Sequence, residues 1–318
     1  MHDDLERTIQ LLYHPILHGF DGPFHTANGK VFSTPSSHWN TALGTDLCIV
    51  NVDSRPMNQS NQVWATGKTH FDWSHITGSQ SGYLNHYIYS RIHGYRYVYV
   101  QATVPDGYVT AWARPGVFRQ FLDQCRVLVY ADSDVVIPNL RLPFEWLLNR
   151  WEIPTNHSIL ALADEPEIPG WDLRDDKGRQ GFNGGFIIMH NRGEGILDEI
   201  LEKWGNCVSE VDYPGCADLK GGWPAEQGGI NNYVRYDFPD YIRGLPCSEA
   251  FGWPEWDNAC QGPLMRHYTM DKTLVHGGIE SSLAQGFFRI VHDDMLDHKA
   301  ELFRFEGHVL DGHDGNQN

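Results

Sequence analysis

Residues 125–138 constrain the fold of this chain more than any other segment. The segment is apolar from Val127 to Tyr130, as in a buried strand, and it then carries two aspartates, Asp132 and Asp134, separated by one residue. Carboxylates at the carboxyl end of a buried strand lie where open α/β sheets bind their ligands. Two hard oxygen donors at positions i and i+2 can share one Mg²⁺ or Mn²⁺, with phosphate oxygens completing the coordination. Aspartates after a strand also favour turns, so this segment alone leaves both interpretations open.

Strand and helix patterns alternate along the first half of the chain. A buried strand is expected at 46–53, followed by an amphipathic helix at 82–93 that Gly94 would end. A strand rich in Val and Tyr at 95–101 and a second helix at 112–125 then lead into the aspartate strand. This order predicts parallel strands joined by helical crossovers.

The second half of the chain predicts fewer regular elements. Strands are expected at 157–163 and 181–190 and a helix at 194–204, whereas 212–262 is rich in Gly, Pro and Trp and predicts long loops around a site. We therefore expect the α/β class, with a mostly parallel sheet flanked by helices in a single domain. The predicted division is an N-terminal segment at 1–45, the main domain at 46–306 and a disordered tail at 307–318.

The charge and hydropathy of the chain exclude some classes of protein. Among 318 residues, 41 are acidic and 24 basic, which gives a formal net charge of −17. Nucleic acids and anionic membranes bind basic surfaces, so we expect no nucleic-acid partner. No apolar stretch is long enough to cross a bilayer, and the amino terminus lacks the basic and apolar pattern of a signal peptide. We therefore expect no membrane segment in this chain.

The six cysteines are compatible with disulfides but do not require them. Cys48 and Cys125 lie in or beside apolar strand patterns, where a buried free thiol is the expected state. The pairs close enough in sequence to close short loops are Cys207 with Cys216 and Cys247 with Cys260.

Four short polar motifs follow one another in an order that suits a ligand site. They are Asp132–Asp134, Phe182-Asn-Gly-Gly185, Glu226-Gln-Gly-Gly-Ile-Asn231 and Leu274-Val-His-Gly-Gly278. The glycines after Asn183 allow the backbone to approach a ligand closely. Glu226 and Gln227 offer a carboxylate and an amide, and His276 offers an imidazole as a third metal ligand. Taken singly, each motif has a simpler interpretation: a plain turn, a solvated acid, or a surface or core histidine.

The motifs resemble those of the GT-A glycosyltransferases. The closest resemblance is to the galactosyl/mannosyl/xylosyltransferase family, which includes fungal α-galactosyltransferases, mannan mannosyltransferases and plant xyloglucan xylosyltransferases. Residues 85–95 are similar to the family's helix that ends in His-Gly-Tyr, and Trp112-Ala-Arg-Pro to the segment before its D-x-D strand. Residues 182–188 are similar to its N-x-G segment, and Glu226-Gln to its D-Q pair. The resemblance covers residues 46–280 and makes 46–306 a GT-A catalytic domain.

The resemblance implies a retaining glycosyltransferase that uses Mn²⁺ (or Mg²⁺) and a UDP- or GDP-sugar donor, with an oligosaccharide or glycan as acceptor. Asp132, Asp134 and His276 would hold the metal. Gln227 would lie beside the anomeric carbon, with Glu226 and Asn183 as further catalytic candidates. The remaining donor-binding candidates are Ser133, Arg114, Gly184, Gly185, Asn51, Asp53 and Lys272.

Two departures from the family pattern concern the donor. Glu226 replaces the usual Asp, and no Lys follows His276 at the place where some relatives use one to stabilise the diphosphate. Lys272 or Arg266 could take that role. The resemblance implies a transferred sugar of the galactose, mannose or xylose class, and these departures leave the identity of the donor open.

Two other functions fit parts of the sequence. A non-catalytic glycan- or nucleotide-sugar-binding protein could retain the same fold, but it would not need a complete metal site. A glycoside hydrolase with two carboxylates would leave the aspartate strand unexplained. For the glycosyltransferase, a Golgi or secretory lumen is the expected compartment if an N-terminal anchor was trimmed, and the cytoplasm otherwise.

Overall fold

The computed structural model describes residues 2–67, 70–253 and 259–302. The strands are β1 (Phe24–His25), β2 (Val31–Phe32), β3 (Leu47–Asp53), β4 (Arg96–Gln101), β5 (Val127–Ala131), β6 (Val135–Val136), β7 (Ile159–Asp164), β8 (Phe182–His190), β9 (Ile242–Leu245) and β10 (Arg266–His267). The helices are α1 (His2–Tyr13), α2 (Gly78–His93), α3 (Arg114–Phe121), α4 (Phe144–Arg150), α5 (Ile196–Gly205), α6 (Ala225–Gly229), α7 (Arg235–Asp237), α8 (Cys247–Ala250), α9 (Leu274–Asp297) and α10 (Lys299–Leu302).

A six-stranded sheet forms the centre of the fold, in the order β4-β3-β5-β8-β7-β9. Strand β3 pairs in parallel with both β4 and β5, and β7 pairs in parallel with β9. Strand β8 is antiparallel to both of its neighbours, β5 and β7. The predicted α/β class, with a mostly parallel sheet flanked by helices, is confirmed.

The central strands are mostly apolar because both faces of the sheet are covered. In β3 and β5, alternate residues enter two different core clusters, as the two-residue period of a strand requires. Leu47 and Val127 pack with residues of α1, α2 and α4, whereas Val50 and Leu128 pack with residues of α3 and α5. Complete burial of one such aliphatic side chain stabilises the fold by about 1.5–3 kcal/mol.

Several elements lie where the sequence predicts them. Helix α2 ends at Gly94, whose φ of 74° is a left-handed conformation that glycine adopts without strain. The sequence did not predict the 24-residue helix α9, nor strand β9 within the expected loop region. Gly277 and Gly278 therefore lie in the first turns of a helix. The predicted tail at 307–318 lies outside the described residues.

The N-terminal segment packs onto the main domain. Ile9 and Tyr13 of α1, together with Trp39, belong to the same core cluster as Leu47 of β3. The domain boundary at residue 45 stays a prediction. Within the described residues, no helix is both long enough and apolar enough to cross a bilayer.

All six cysteines form disulfides. The pairs Cys207–Cys216 and Cys247–Cys260 close short loops, which the sequence had left open. The expectation of free thiols at Cys48 and Cys125 is wrong, because these two residues are bonded to each other. Strands β3 and β5 are direct parallel neighbours, and their pairing brings the two Cα atoms to 5.7 Å.

Candidate metal centre and active site

The turn that carries Asp132 and Asp134, which we call the aspartate turn, lies at the edge of the sheet where β5 ends and β8 begins. These strands are antiparallel, so the carboxyl end of β5 and the first residues of β8 meet at the same edge. The backbone N–H of Asp132 donates to the carbonyl oxygen of Gly185 at 2.7 Å, and the N–H of Val135 donates to that of Asp132 at 2.9 Å. These two hydrogen bonds fix the turn that carries Asp132 and Asp134.

Asp132, Asp134 and His267 form a candidate metal centre, with one ligand atom from each residue lying within 4.8 Å of the others. Strand β10 positions His267, since it pairs with β6 immediately after the aspartate turn and places His267 opposite Val135. The Nδ1 atom of His267 is buried and has no hydrogen-bond partner among the described residues. Two carboxylates and one imidazole are a donor set that suits Mn²⁺, and the hard oxygens also suit Mg²⁺.

The structure does not bring His276 into this group. His276 lies in the first turn of α9, where its ring stacks on Trp73 with centroids 4.1 Å apart and its Nε2 atom lies 2.9 Å from the Trp73 carbonyl oxygen. Helix α9 directs the His276 side chain to Trp73. His267 lies beside the two aspartates, where the sequence analysis had placed His276. The third candidate ligand is therefore corrected from His276 to His267.

Opposite charges surround the buried carboxylate of Asp134. Its oxygens lie 3.3 Å from Nε2 of His267 and 3.0 Å from Nζ of Lys272. Burial opposes ionisation of Asp134, but the two cations outweigh burial and hold its pKa well below the usual range. Burial also disfavours a charged His267, yet the carboxylate of Asp134, with smaller effects from Asp132 and Glu165, raises the pKa of the imidazole.

Arg114 joins Asp132 to Glu226. Its two terminal nitrogens lie 2.5 Å from Oδ1 of Asp132 and 2.5 Å from Oε1 of Glu226. The guanidinium also lies over the ring of Tyr130, whose hydroxyl donates to Asp132. Burial raises the pKa of Glu226 although Arg114 opposes the shift. Glu226 is thus a buried, paired carboxylate and not a solvated acid.

Asn183 and Gln227 are held by a third residue, Glu165, which the sequence did not identify. The Nδ2 atom of Asn183 and the Nε2 atom of Gln227 both donate to Oε1 of Glu165 at 2.9 Å. Asn183 also accepts from the N–H of Gly185, and Gln227 from that of Gly184, each at 2.8 Å. Glu165 directly follows β7, so the criterion that selected Asp132, an acid after a buried strand, could have found it.

A cavity of about 270 Å³ lies beside the aspartate turn. Its lining includes six of the residues predicted to bind the donor or the metal: Asp53, Arg114, Asp132, Ser133, Asp134 and Lys272. Asp53 accepts from the Tyr83 hydroxyl at 2.5 Å and from Nε of Arg55 at 2.9 Å, and both partners also line the cavity. Its walls therefore combine carboxylates with basic and aromatic groups.

Asn51 does not line this cavity. It is fully buried in β3, and its Nδ2 atom donates to the carbonyl oxygen of Ala131 at 2.7 Å and lies 3.0 Å from Nδ1 of His86. Asn51 was predicted to contact the donor. In the structure it instead connects β3 to the end of β5 through its hydrogen bond to Ala131.

Gly185→Ala is expected to disturb the metal centre. A Cβ atom there would lie 2.4 Å from Cε1 of the buried His267 ring and 2.9 Å from Oδ1 of Asn183. We expect a loss of about 1–3 kcal/mol of stability from overpacking, together with weaker Mn²⁺ binding, measured by thermal unfolding and calorimetry. Gly116→Ala in α3 is the control: its Cβ meets no atom within 4 Å, so stability should rise by about 0.4–1 kcal/mol. Parent-like stability and Mn²⁺ affinity in Gly185→Ala would contradict the described contact.

No family model and no curated protein matches the chain. Solved structures that are similar to it include the following three. One is a glycosyltransferase involved in the glycosylation of the major capsid of PBCV-1, with 14% identity, a TM-score of 0.49 and coverage of 74% of this chain and 98% of that one. Mouse xyloside xylosyltransferase 1 in its apo form has 9% identity and a TM-score of 0.39, covering 70% and 97%. The WbbM bifunctional glycosyltransferase, also apo, has 12% identity and a TM-score of 0.42, covering 84% and 54%.

Proposed function

We propose that the protein is a metal-dependent, retaining glycosyltransferase that moves a sugar of the galactose, mannose or xylose class from a nucleotide diphosphate to a glycan hydroxyl. The observation that carries this proposal is the convergence of Asp132, Asp134, His267 and Lys272 at the end of β5, beside a cavity of about 270 Å³. The sequence motifs that resemble those of the GT-A glycosyltransferases supply the reaction class.

The cavity has the groups that a nucleotide diphosphate requires. Asp132, Asp134 and His267 would hold the Mn²⁺ or Mg²⁺, which when bound neutralises the negative charge that develops on the departing diphosphate. Lys272 adds a cationic nitrogen in the same cavity, 3.0 Å from Asp134, and can donate to a phosphate oxygen. Lys272 therefore takes the role of the family lysine that is missing after His276.

The residues around Asn183 and Gln227 would position the transferred sugar. Both polar ends of the Gln227 amide are engaged, by Gly184 and by Glu165, so its orientation is fixed before the substrate binds. Glu226 is paired with Arg114, which favours an electrostatic and positioning role over that of a free nucleophile. Such preorganisation stabilises a transition state without rearrangement of the protein during the reaction.

The proposed transfer needs no separate protein base. The bond between the anomeric carbon and the diphosphate oxygen breaks, and a bond between that carbon and the acceptor oxygen forms on the same face. The acceptor proton passes to the oxygen of the departing diphosphate, so charges and atoms balance.

Donor hydrolysis in the absence of an acceptor provides the test. The protein is incubated with UDP-galactose, UDP-xylose and GDP-mannose, each with Mn²⁺ and with EDTA, and free nucleotide diphosphate is measured. We expect one donor to be hydrolysed only with metal, and to be transferred faster when an oligosaccharide mixture is added. Binding of a nucleotide sugar without turnover in either assay would favour the non-catalytic binding protein. Turnover that persists in EDTA would contradict the metal centre.

A further inference from the structure

A second cavity, of about 510 Å³, is lined by Glu165 and Asn183 and is rich in tryptophan; we call it the tryptophan cavity. Trp171, Trp223 and Trp253 line it, and the rings of Trp171 and Trp253 meet edge to face with centroids 5.7 Å apart. Trp223 is 75% exposed and Trp171 is 46% exposed. Large exposed apolar rings around a cavity are typical of binding sites, because the surface of a folded protein seldom exposes them together without a partner.

Two buried polar atoms on residues that border this cavity have no hydrogen-bond partner among the described residues. They are Oε2 of Glu165 and Oγ1 of Thr269. Glu165 is 3% exposed, and its other carboxylate oxygen accepts from Asn183 and Gln227. A buried polar atom without a partner costs free energy, so a ligand hydroxyl that pairs with it is favoured over a ligand that lacks one.

Glu165 connects the tryptophan cavity to the metal centre. It also lines an adjoining cavity of about 440 Å³, together with Gln227. Asn183, bound to Glu165, accepts from the N–H of Gly185, and the carbonyl oxygen of Gly185 accepts from the N–H of Asp132. A ligand that contacts Glu165 would therefore lie next to the residues that position the transferred sugar.

We propose that the tryptophan cavity binds a pyranose ring of the acceptor glycan. Trp171 and Trp223 would pack on the apolar C–H face of the ring, while Oε2 of Glu165 and Oγ1 of Thr269 would hydrogen-bond its hydroxyl groups. The assignment to an acceptor rests on the proposed function, because the cavity with the cationic nitrogen of Lys272 suits the donor diphosphate. Glu165 is thus a specificity-determining residue as well as the partner of Asn183 and Gln227.

The test uses methyl glycosides of glucose, galactose, mannose and xylose as probes of the full chain. Binding is measured by saturation-transfer NMR and by calorimetry. We expect at least one glycoside to bind, and Trp223→Ala and the isosteric Glu165→Gln each to weaken its binding about tenfold or more. Phe288→Ala, which removes an exposed ring on α9, is the matched control and should leave glycoside affinity unchanged.

A melting-temperature shift with nucleotide sugar and Mn²⁺ is measured on the same samples and separates this inference from the proposed function. A nucleotide-dependent shift without binding of any glycoside would overturn the acceptor cavity and leave the glycosyltransferase proposal standing. Equal glycoside affinity in the parent, Trp223→Ala and Glu165→Gln would also overturn it. A third outcome is that a glycoside binds, Trp223→Ala weakens its binding, and no nucleotide sugar shifts the melting temperature. This outcome would support the cavity as a glycan site and contradict the proposed function.

Discussion

Asp134→Asn is expected to lower metal-dependent sugar transfer about a thousandfold. The substitution keeps the shape of the side chain but removes the negative charge between His267 and Lys272, where two cations now face it. Without that charge the metal loses one hard ligand, and its stabilisation of the leaving group, about 4 kcal/mol, is lost. Turnover of the donor at saturating Mn²⁺ measures the effect.

The control for this substitution is Asp123→Asn, which neutralises an exposed acid shortly before β5 and should leave turnover unchanged. Thermal unfolding in EDTA shows whether Asp134→Asn still folds, so that loss of the metal site is distinguished from loss of the protein. Parent-like turnover in a folded Asp134→Asn variant would mean that the aspartate turn does not hold a catalytic metal.

Arg114→Met is expected to destabilise the protein by about 3–5 kcal/mol. Arg114 is partly buried between the carboxylates of Asp132 and Glu226, and its removal leaves these two negative charges near each other without a cation. Methionine keeps the apolar contact with Tyr130, so the loss reports mainly on charge. For a chain of this size the melting temperature should fall by about 4–8 °C.

Arg119→Met on the same helix is the matched control. Arg119 pairs with Asp198 and Glu202 at the surface, so its loss should cost no more than about 1 kcal/mol. Glu226→Gln should cost less in the Arg114→Met background than in the parent, because it removes an uncompensated charge there. Additive effects of Arg114→Met and Glu226→Gln would contradict the coupling.

The stability deficit of Arg114→Met should also depend on pH. Burial raises the pKa of Glu226 in the folded state above its unfolded value. A group with a raised folded pKa stabilises the fold at low pH and loses that contribution as the pH rises. Arg114 opposes this rise, so its removal raises the folded-state pKa of Glu226 further, and the stability deficit of the variant is expected to be smaller at pH 5 than at pH 8. A larger deficit at pH 5 would contradict the pairing of the buried Glu226 with Arg114.

The sequence predicted features that depend on neighbouring residues. The apolar run that ends in Asp132 and Asp134, the strand at 46–53 and the helix that ends at Gly94 are local patterns, and the structure has them at those places. The parallel direction of β3, β4 and β5 was predictable because helices join these consecutive strands. The antiparallel direction of β8 was not predicted, because the residues of an apolar strand do not indicate which strand it will pair with or in which direction.

Contacts between distant segments escaped prediction. His267 and His276 are nine positions apart, and only the pairing of β10 with β6 and the start of α9 decide which one reaches the aspartates. The Cys48–Cys125 disulfide depends in the same way on the pairing of β3 with β5. The position of Glu165 after β7 is a local signal, but its contacts with Asn183 and Gln227 were not predictable, since these residues are 18 and 62 positions away.

The most direct test of the central claim is the melting temperature of the protein with UDP- and GDP-sugars, each with and without Mn²⁺. A ligand that binds only the folded state raises stability by about 2.7 kcal/mol at a hundred times its Kd. The metal centre at Asp132, Asp134 and His267 predicts a rise for sugars of one nucleotide base, present with Mn²⁺ and absent in EDTA. No rise with any donor, or an equal rise in EDTA, would contradict a metal-dependent nucleotide-sugar site.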